Sequence, residues 1–438
     1  MSLPNLEYLY GLNREGIKLD LSITRMFSDL LGSPDLDFGS LHIAGTNGKG
    51  SITSFIYNIF QQAVPSGMYT SPHLVKFNER ILADDRFVSD DYINLFMKKH
   101  ESEIENLKAL GRNPTFFEVT TVMAFKYFSD KKVKMASVEV GLGGRLDSTN
   151  IIHPEVSIIS NIGYDHSDKL GCSLTSIAYE KAGIIKEKVP VILLDDKNEV
   201  VRTVKSVAEK RGSRLIRVSK VTEISSVQVN DSGTRFSLKT PQDNYEIFTP
   251  LIGDFQIRNI ATSVLAVENG SSITPNRNLI ERGISQTRWP ARMEIIRRDP
   301  TVMVDCAHNP PAAHALVTSF RKHVGKKPLL LVGMLEDKDV FSFLTTIRYL
   351  SDTIVITTPQ DTPRALPAES LSKTARQIFP SVKVISDPKE AYEYARSASD
   401  YVLIAGSMYL VGFIKMLENS PVLPFERGEV MNEAEATT

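Results

Sequence analysis

The segment Gly45-Thr46-Asn47-Gly48-Lys49-Gly50-Ser51 brings glycines, a lysine and a hydroxyl together in one short run. Glycines let backbone N–H groups turn toward a phosphate, and a following helix adds partial positive charge at its N-terminus. Lys49 can neutralise phosphate oxygens and Ser51 can reach Mg²⁺. The match to G-x-x-x-x-G-K-[ST] is imperfect, because position 43 is Ile and Gly50 separates Lys49 from Ser51. A tight strand-to-helix turn is the bland alternative. The strand-like Leu41 to Ala44 before the loop and the helical pattern from about Ile52 to Gln62 after it favour a nucleotide pocket.

Two further places carry candidate metal ligands. Glu139 ends the apolar run from Met135 and precedes Gly141-Leu142-Gly143-Gly144-Arg145-Leu146-Asp147. A carboxylate at the carboxyl end of a strand faces the crevice where open α/β sheets bind ligands, and it can hold Mg²⁺ directly or through water. Asp165-His166 follows the run from Val156 in the same way, which lets Glu139 and His166 approach each other. A solvated edge carboxylate and a structural histidine are the competing readings.

These groups need elements to aim them. Short apolar runs followed by helical spacing recur along the chain, the pattern of a parallel α/β sheet. Leu41 to Ala44, Ala136 to Val140, Val156 to Ser160 and Val189 to Leu194 read as strands, and Phe117 to Phe128 as a helix between them. Between Ser225 and Phe248 the period changes to two around Asp231-Ser232-Gly233, which predicts a small inserted antiparallel hairpin. After Trp289-Pro290 a fresh series begins, with strand-like runs at 302–304, 328–332, 353–357, 382–385 and 401–405. The expected architecture is a doubly wound, P-loop-type α/β domain over residues 1–288, with the β insertion, followed by a Rossmann-like α/β domain over 289–438. The tail from Arg427 receives no function.

Composition narrows the field. The net charge of −1 gives no electrostatic argument for nucleic acid. No stretch is long and apolar enough to span a bilayer, and the first twenty residues lack the apolar core of a secretory signal. Cys172 and Cys306 are the only cysteines and stand far apart, so a reducing cytoplasm is the simplest expectation.

Taken in chain order, several segments resemble the folylpolyglutamate synthase and dihydrofolate synthase branch of the Mur ligase family. They are the Gly45 to Ser51 loop, Tyr69 to Leu74, Asn78 to Ile81, Glu139 to Asp147 and Glu180 to Ile184. Gly253 with Gln256 and Asn259, Arg288 to Glu294, Asp305 to Pro310 and Ala405 to Gly412 continue the similarity, which covers the chain from about Leu6 to Ile414. The departures are Ala291 where the family usually has Gly, Cys306 where it usually has Gly, and a shortened stretch from Gln61 to Met68.

What the resemblance implies is a two-domain, ATP-dependent ligase with a Mur-ligase-like ATP-binding domain first. It would join L-glutamate to a folate or to dihydropteroate through an acyl phosphate. Lys49 would act on the transferred phosphoryl group, and Gly45, Thr46, Asn47, Gly48, Gly50 and Ser51 would cradle the nucleotide. Ser51 and Glu139, with Ser71 less directly, would serve one Mg²⁺; His166 and a carbamoylated Lys181 would help hold a second. Asn259, Arg292, Asp305 and His308 would complete the nucleotide site, the last three reaching it from the linker and the second domain. Thr115 and Phe117 would offer a hydroxyl and an aromatic face to a pterin, and Asp147 would accept from its amino groups, although adjacent Phe116 and Phe117 also suit a plain core. For Lys181 the residues alone leave open a pairing with Glu180 or Asp165, or an amine that reaches the surface. A monomer, without nucleic-acid or membrane partner, is expected.

Two rivals remain. A cell-wall amino-acid ligase shares the loop but normally carries an extra N-terminal sugar-binding domain, for which a loop at position 45 leaves no expected room. A nucleotide-dependent switch needs one Mg²⁺, not the second cluster of Glu139, His166 and Lys181.

Overall fold

The computed structural model describes residues 4–12, 20–165, 167–270 and 272–419. The first sheet contains β1 (Gly39–Ala44), β2 (Ser66–Tyr69), β3 (Ile81–Ala83), β4 (Arg86–Phe87), β5 (Met135–Glu139), β6 (Val156–Ile159), β7 (Val191–Leu193) and β8 (Leu215–Arg217). Their order is β4-β3-β2-β5-β1-β6-β7-β8. From β2 across to β8 all neighbours are parallel, while β3 and β4 close one edge as an antiparallel ribbon.

β1 lies between β5 and β6, and every one of its residues from Ser40 to Ala44 is buried. Helices cover both faces, which is why β1 and β5 read as continuous rather than alternating apolar runs. On one face the helix Lys49–Phe60 is buried along almost its whole length beneath the helices Asp254–Glu268 and Arg277–Gln286. On the other, the helix Phe116–Asp130 lays Val119, Val122, Phe125 and Phe128 onto the core. The crossover reverses at β1, so the loop after Ala44 opens into the crevice at the carboxyl edge of the sheet.

The expected hairpin is a three-stranded antiparallel sheet of β9 (Glu223–Asn230), β10 (Gly233–Lys239) and β11 (Asn244–Thr249). Tyr245 and Ile247 of β11 join the core beside the helix Arg277–Gln286, so this sheet braces the main one.

After Thr287 the chain crosses to a six-stranded sheet of β12 (Glu294–Arg298), β13 (Thr301–Val304), β14 (Leu329–Val332), β15 (Thr353–Ile356), β16 (Ser381–Val384) and β17 (Tyr401–Ala405). Its order is β12-β13-β17-β14-β15-β16, parallel except for β12. Ala291 and Met293 of the crossing adopt φ of 58° and 46°. Ala291 therefore holds a left-handed conformation that glycine adopts without steric cost. The turn survives because Ala291 N–H donates to Glu294 at 2.7 Å and its carbonyl accepts from Cys306 N–H at 3.0 Å.

Candidate active site

The loop after β1 turns into its helix through Gly48, which caps it at φ 87°. A Cβ there would stand 2.8 Å from Asn259 Oδ1, so both conformation and space call for glycine. The first helical bond runs from Ile52 N–H to the Gly48 carbonyl at 3.0 Å. The preceding amides of Lys49, Gly50 and Ser51 are the donors that a helix leaves for a partner beyond itself. Gln256 donates to the Ser51 hydroxyl at 3.4 Å and accepts from Asn259 at 3.0 Å, so the helix Asp254–Glu268 aims two amides at the loop.

Lys49 Nζ lies 3.9 Å from Glu139 Oε1 at the end of β5 and donates to the Thr46 carbonyl at 3.3 Å. Glu139 is buried, and the backbone N–H of Ser71 approaches its other oxygen at 3.4 Å. Burial raises the Glu139 carboxyl to about 7, against the opposing pull of Lys49, the Ser71 amide and Arg292. A buried carboxylate with only these long contacts, beside the Ser71 and Ser51 segments, offers the oxygen chemistry that Mg²⁺ takes, and a cation there would offset the cost of burying its charge. The structure thus brings Ser71, Glu139 and Lys49 together.

Lys181 comes from the helix Leu174–Ala182, which Ser173 caps. Its Nζ is buried and donates to the Gly45 carbonyl at 2.8 Å. Burial, reinforced by the charge of Lys49, lowers the amine to about 7, while Asp165 and Asp147 pull the other way. Neither a surface amine nor a pair with Glu180 fits, because Glu180 is engaged by Arg145 at 3.0 Å. His166 lies outside the described residues.

The second sheet reaches the same place. Asp305 directly follows β13, accepts from Met293 N–H at 2.9 Å and Ala307 N–H at 2.7 Å, and is raised by burial. His308 donates from Nδ1 to the Cys306 carbonyl at 2.8 Å, and its Nε2 lies 3.7 Å from Asp165. Arg292 is near enough for its charge to act on both Glu139 and Asp305. Trp289 packs against Gly50, where an added Cβ would meet its ring at 2.7 Å.

Thr115, Phe117 and Asp147 have local duties. Thr115 caps the helix Phe116–Asp130 in a reciprocal box with Glu118. Phe117 stacks on Tyr69 at 6.2 Å and its ring fills the space over Gly141. Asp147 is buried and accepts from Leu142 N–H at 2.8 Å and from Thr149 N–H at 3.0 Å.

Arg80 and His73 were not given roles from sequence. Arg80 is buried, donates to His73 Nδ1 at 2.8 Å and lies 5.3 Å from the Phe116 ring centre. Burial, with Arg80 beside it, lowers His73 to about 3, so its ring is neutral. Glu79 clamps the preceding turn by accepting from the amides of Leu74, Val75 and Lys76 at 2.6, 2.8 and 2.5 Å. The available signal was a charged pair, Glu79-Arg80, directly before the apolar Ile81-Leu82-Ala83.

A phosphate-type loop at a sheet's switch point, closed from above by cationic and acidic side chains of a second α/β sheet, defines a nucleotide-dependent ligase architecture, and the chain belongs to the Mur ligase family. The model of the Mur ligase middle domain matches residues 43–267, and that of the Mur ligase glutamate ligase domain matches 291–408. The dihydrofolate synthase/folylpolyglutamate synthase of Bacillus subtilis (strain 168) is 32% identical over 419 residues, spanning 93% of this chain and 97% of its own. Mycobacterium tuberculosis folylpolyglutamate synthase, solved complexed with ADP and AMPPCP, has a TM-score of 0.89 at 29% identity, covering 95% of this chain and 98% of that one. E. coli FolC in complex with DHPP and ADP has a TM-score of 0.85 at 27% identity, covering 95% and 98%. Within the family, this protein falls in the folylpolyglutamate and dihydrofolate synthase branch.

Proposed function

We propose that this protein is an ATP-dependent ligase that joins L-glutamate to the carboxylate of a folate through an acyl phosphate. The observation that carries the reading is the convergence of Lys49 and Glu139 at the loop with Arg292 from the segment that crosses to the second sheet. A carboxylate does not acylate an amine at neutral pH, because its leaving group would be oxide. Transfer of the γ-phosphoryl group of ATP converts that oxygen into phosphate, which the glutamate amine then displaces. Lys49 offsets charge on the transferred group, the amides of the loop orient it, and Arg292 with Asp305 and His308 closes the nucleotide site from above. Mg²⁺, held by Glu139 with Ser51 and Ser71, would neutralise the phosphates as a Lewis acid.

Lys181 fits the carbamate reading. Its buried amine is shifted far enough that an uncharged fraction exists near neutral pH. The nitrogen lone pair attacks the carbon of CO₂ and a proton leaves, giving an anionic group whose oxygens, with His166, suit a second cation. Phe117 and Thr115 make the pterin face in this reading, with Asp147 supporting the loop beneath it. The protein acts as a monomer in a reducing cytoplasm, in keeping with its free Cys172 and Cys306.

The test is phosphate release from Mg²⁺-ATP, with each pteridine acceptor in turn, and with products read by mass. Release that requires both acceptor and glutamate, with products heavier by one glutamyl residue, supports the proposal. Release indifferent to either one would overturn it, and the dihydropteroate arm reads whether that acceptor is also used.

A further inference from the structure

Asn47 sits in the middle of the phosphate loop, yet its side chain does not face the crevice alone. Asn47 Nδ2 donates to Asn309 Oδ1 at 3.0 Å, and Asn309 Nδ2 donates back to Asn47 Oδ1 at 3.1 Å. This reciprocal amide pair joins residues 262 positions apart, one after β1 and the other after β13. The backbone of Asn47 is already tied down: its N–H donates to Asn161 Oδ1 at 3.0 Å and its carbonyl accepts from Ser160 Oγ at 2.8 Å. Only its side chain is left to reach across to the second sheet.

Asn309 is 2% exposed and uses all of its hydrogen-bonding capacity. Its oxygen also accepts from Ala312 N–H at 2.9 Å, capping the helix Pro310–His323, and its second N–H goes to Asp165 Oδ2 at 3.0 Å. The amide cannot be turned over, because Ala312 N–H can only donate and a carboxylate can only accept. That fixed orientation dictates the orientation of Asn47. Asp165 extends the contact: its other oxygen accepts from Lys338 Nζ at 2.9 Å, a nearly buried cation on the segment after β14. Segments following β13 and β14 therefore both end on the loop that follows β6.

We propose that Asn309, through its amide pair with Asn47 and its bond to Asp165, is a positioning residue that holds the phosphate loop in register with the C-terminal sheet. The inference rests on the ligase reading above, since register matters only if residues of both sheets act on one nucleotide. Separating the sheets leaves the buried Asn309 amide and the part-buried Asn47 amide without each other and parts Lys338 from Asp165, so the closed arrangement is favoured by these contacts between the two sheets. Gly48 and Lys49 follow Asn47 directly, so a shift of that side chain is passed to the residues that meet the phosphates.

The experiment compares the full chain with Asn47→Ala, Asn309→Ala and the double variant. It measures kcat and KM for ligation, the Kd for ADP, and the radius of gyration by X-ray scattering with ADP and Mg²⁺ bound. Each single variant is expected to lower kcat by roughly tenfold or more while the ADP Kd stays within about threefold. The double variant should be no worse than Asn309→Ala, because that variant already removes the amide pair that Asn47→Ala breaks, and all three should be larger in solution than the parent. An ADP Kd raised roughly tenfold by Asn47→Ala with kcat intact would overturn the proposal, by showing that the side chain serves the nucleotide itself. Multiplying losses in the double variant, or an unchanged radius in all variants, would overturn it as well. Should Asn309→Ala fail to fold, Lys338→Gln breaks the neighbouring ion pair that the second sheet makes with Asp165 and is read by the same measurements. If the parent protein shows no glutamate-dependent turnover, the ligase reading is what has failed, and the scattering and ADP arms decide the positioning role by themselves.

Discussion

Glu139 and Lys181 show opposite results of the same burial, and each gives a measurable signature. Glu139 is raised to about 7 from 4.5, so between these values the folded, metal-free protein keeps a proton that the unfolded chain has released. Stability from this group therefore falls as pH rises through that window. Lys181 is lowered to about 7 from 10.5, so the unfolded chain holds more protons between those values and stability rises with pH there. Glu139→Gln removes the first effect: in denaturant titrations without Mg²⁺ it should gain up to about 3 kcal/mol on the parent between pH 4 and pH 8, while ligation is lost. An equal gap at both pH values would contradict this. Lys181→Ala should lose most activity and recover part of it with acetate or formate, which can fill the carbamate's place. Full activity without rescue would refute the carbamate.

At this scale the sequence was readable where chemistry is local. Lys49, Ser51 and Glu139 stand beside glycines and strand ends that mark them as candidates, and the structure brings Lys49 and Glu139 together. Arg80 gave no such signal, because its partners His73 and Phe116 become neighbours only when β2, β3 and the helix Phe116–Asp130 pack.

The strand–loop–helix unit around β1 makes the site, and Gly48 is its tightest point. Gly48→Ala places a side chain at φ 87° and a Cβ 2.8 Å from Asn259 Oδ1. The left-handed conformation alone costs about 1 kcal/mol, and relief of the contact must displace Asn259 or the loop. The variant should unfold at lower denaturant and bind ADP at least roughly tenfold more weakly; parent-like ADP affinity would show that the loop does not need this geometry. The parallel strands were legible because buried strands leave continuous apolar runs, and the boundaries agree within a residue or two at Ala44, Glu139 and Ala405. The third strand of the small sheet was missed although Tyr245 and Ile247 alternate with polar neighbours. The turn at Asp231-Ser232-Gly233 accounts for one hairpin, whereas the second turn, at Thr240-Pro241-Gln242-Asp243, lacks glycine and leaves the third strand unmarked.

Across the whole molecule, the proposed function depends on two sheets acting on one nucleotide. Arg292 carries that dependence most plainly, since it belongs to the crossing segment yet its charge reaches Glu139 at the end of β5. Arg292→Ala should raise the KM for ATP roughly tenfold or more and leave thermal stability nearly unchanged; an unaltered KM would detach the second sheet from the nucleotide. Such cross-links were the least legible layer. Asn309 with Asp165 spans 144 positions and Lys338 with Asp165 spans 173, and nothing in residue type or spacing predicts a pairing that only packing creates. The order of the motifs did carry over, because the family resemblance supplied what periodicity does not.

Activation of the acceptor carboxylate by ATP as an acyl phosphate leaves an isotopic trace. It is tested most directly by labelling that carboxylate with ¹⁸O and following the label through one turnover with glutamate. Acyl-phosphate formation places one labelled oxygen in each phosphate released and none in AMP. Unlabelled phosphate, or label carried into AMP, would contradict it.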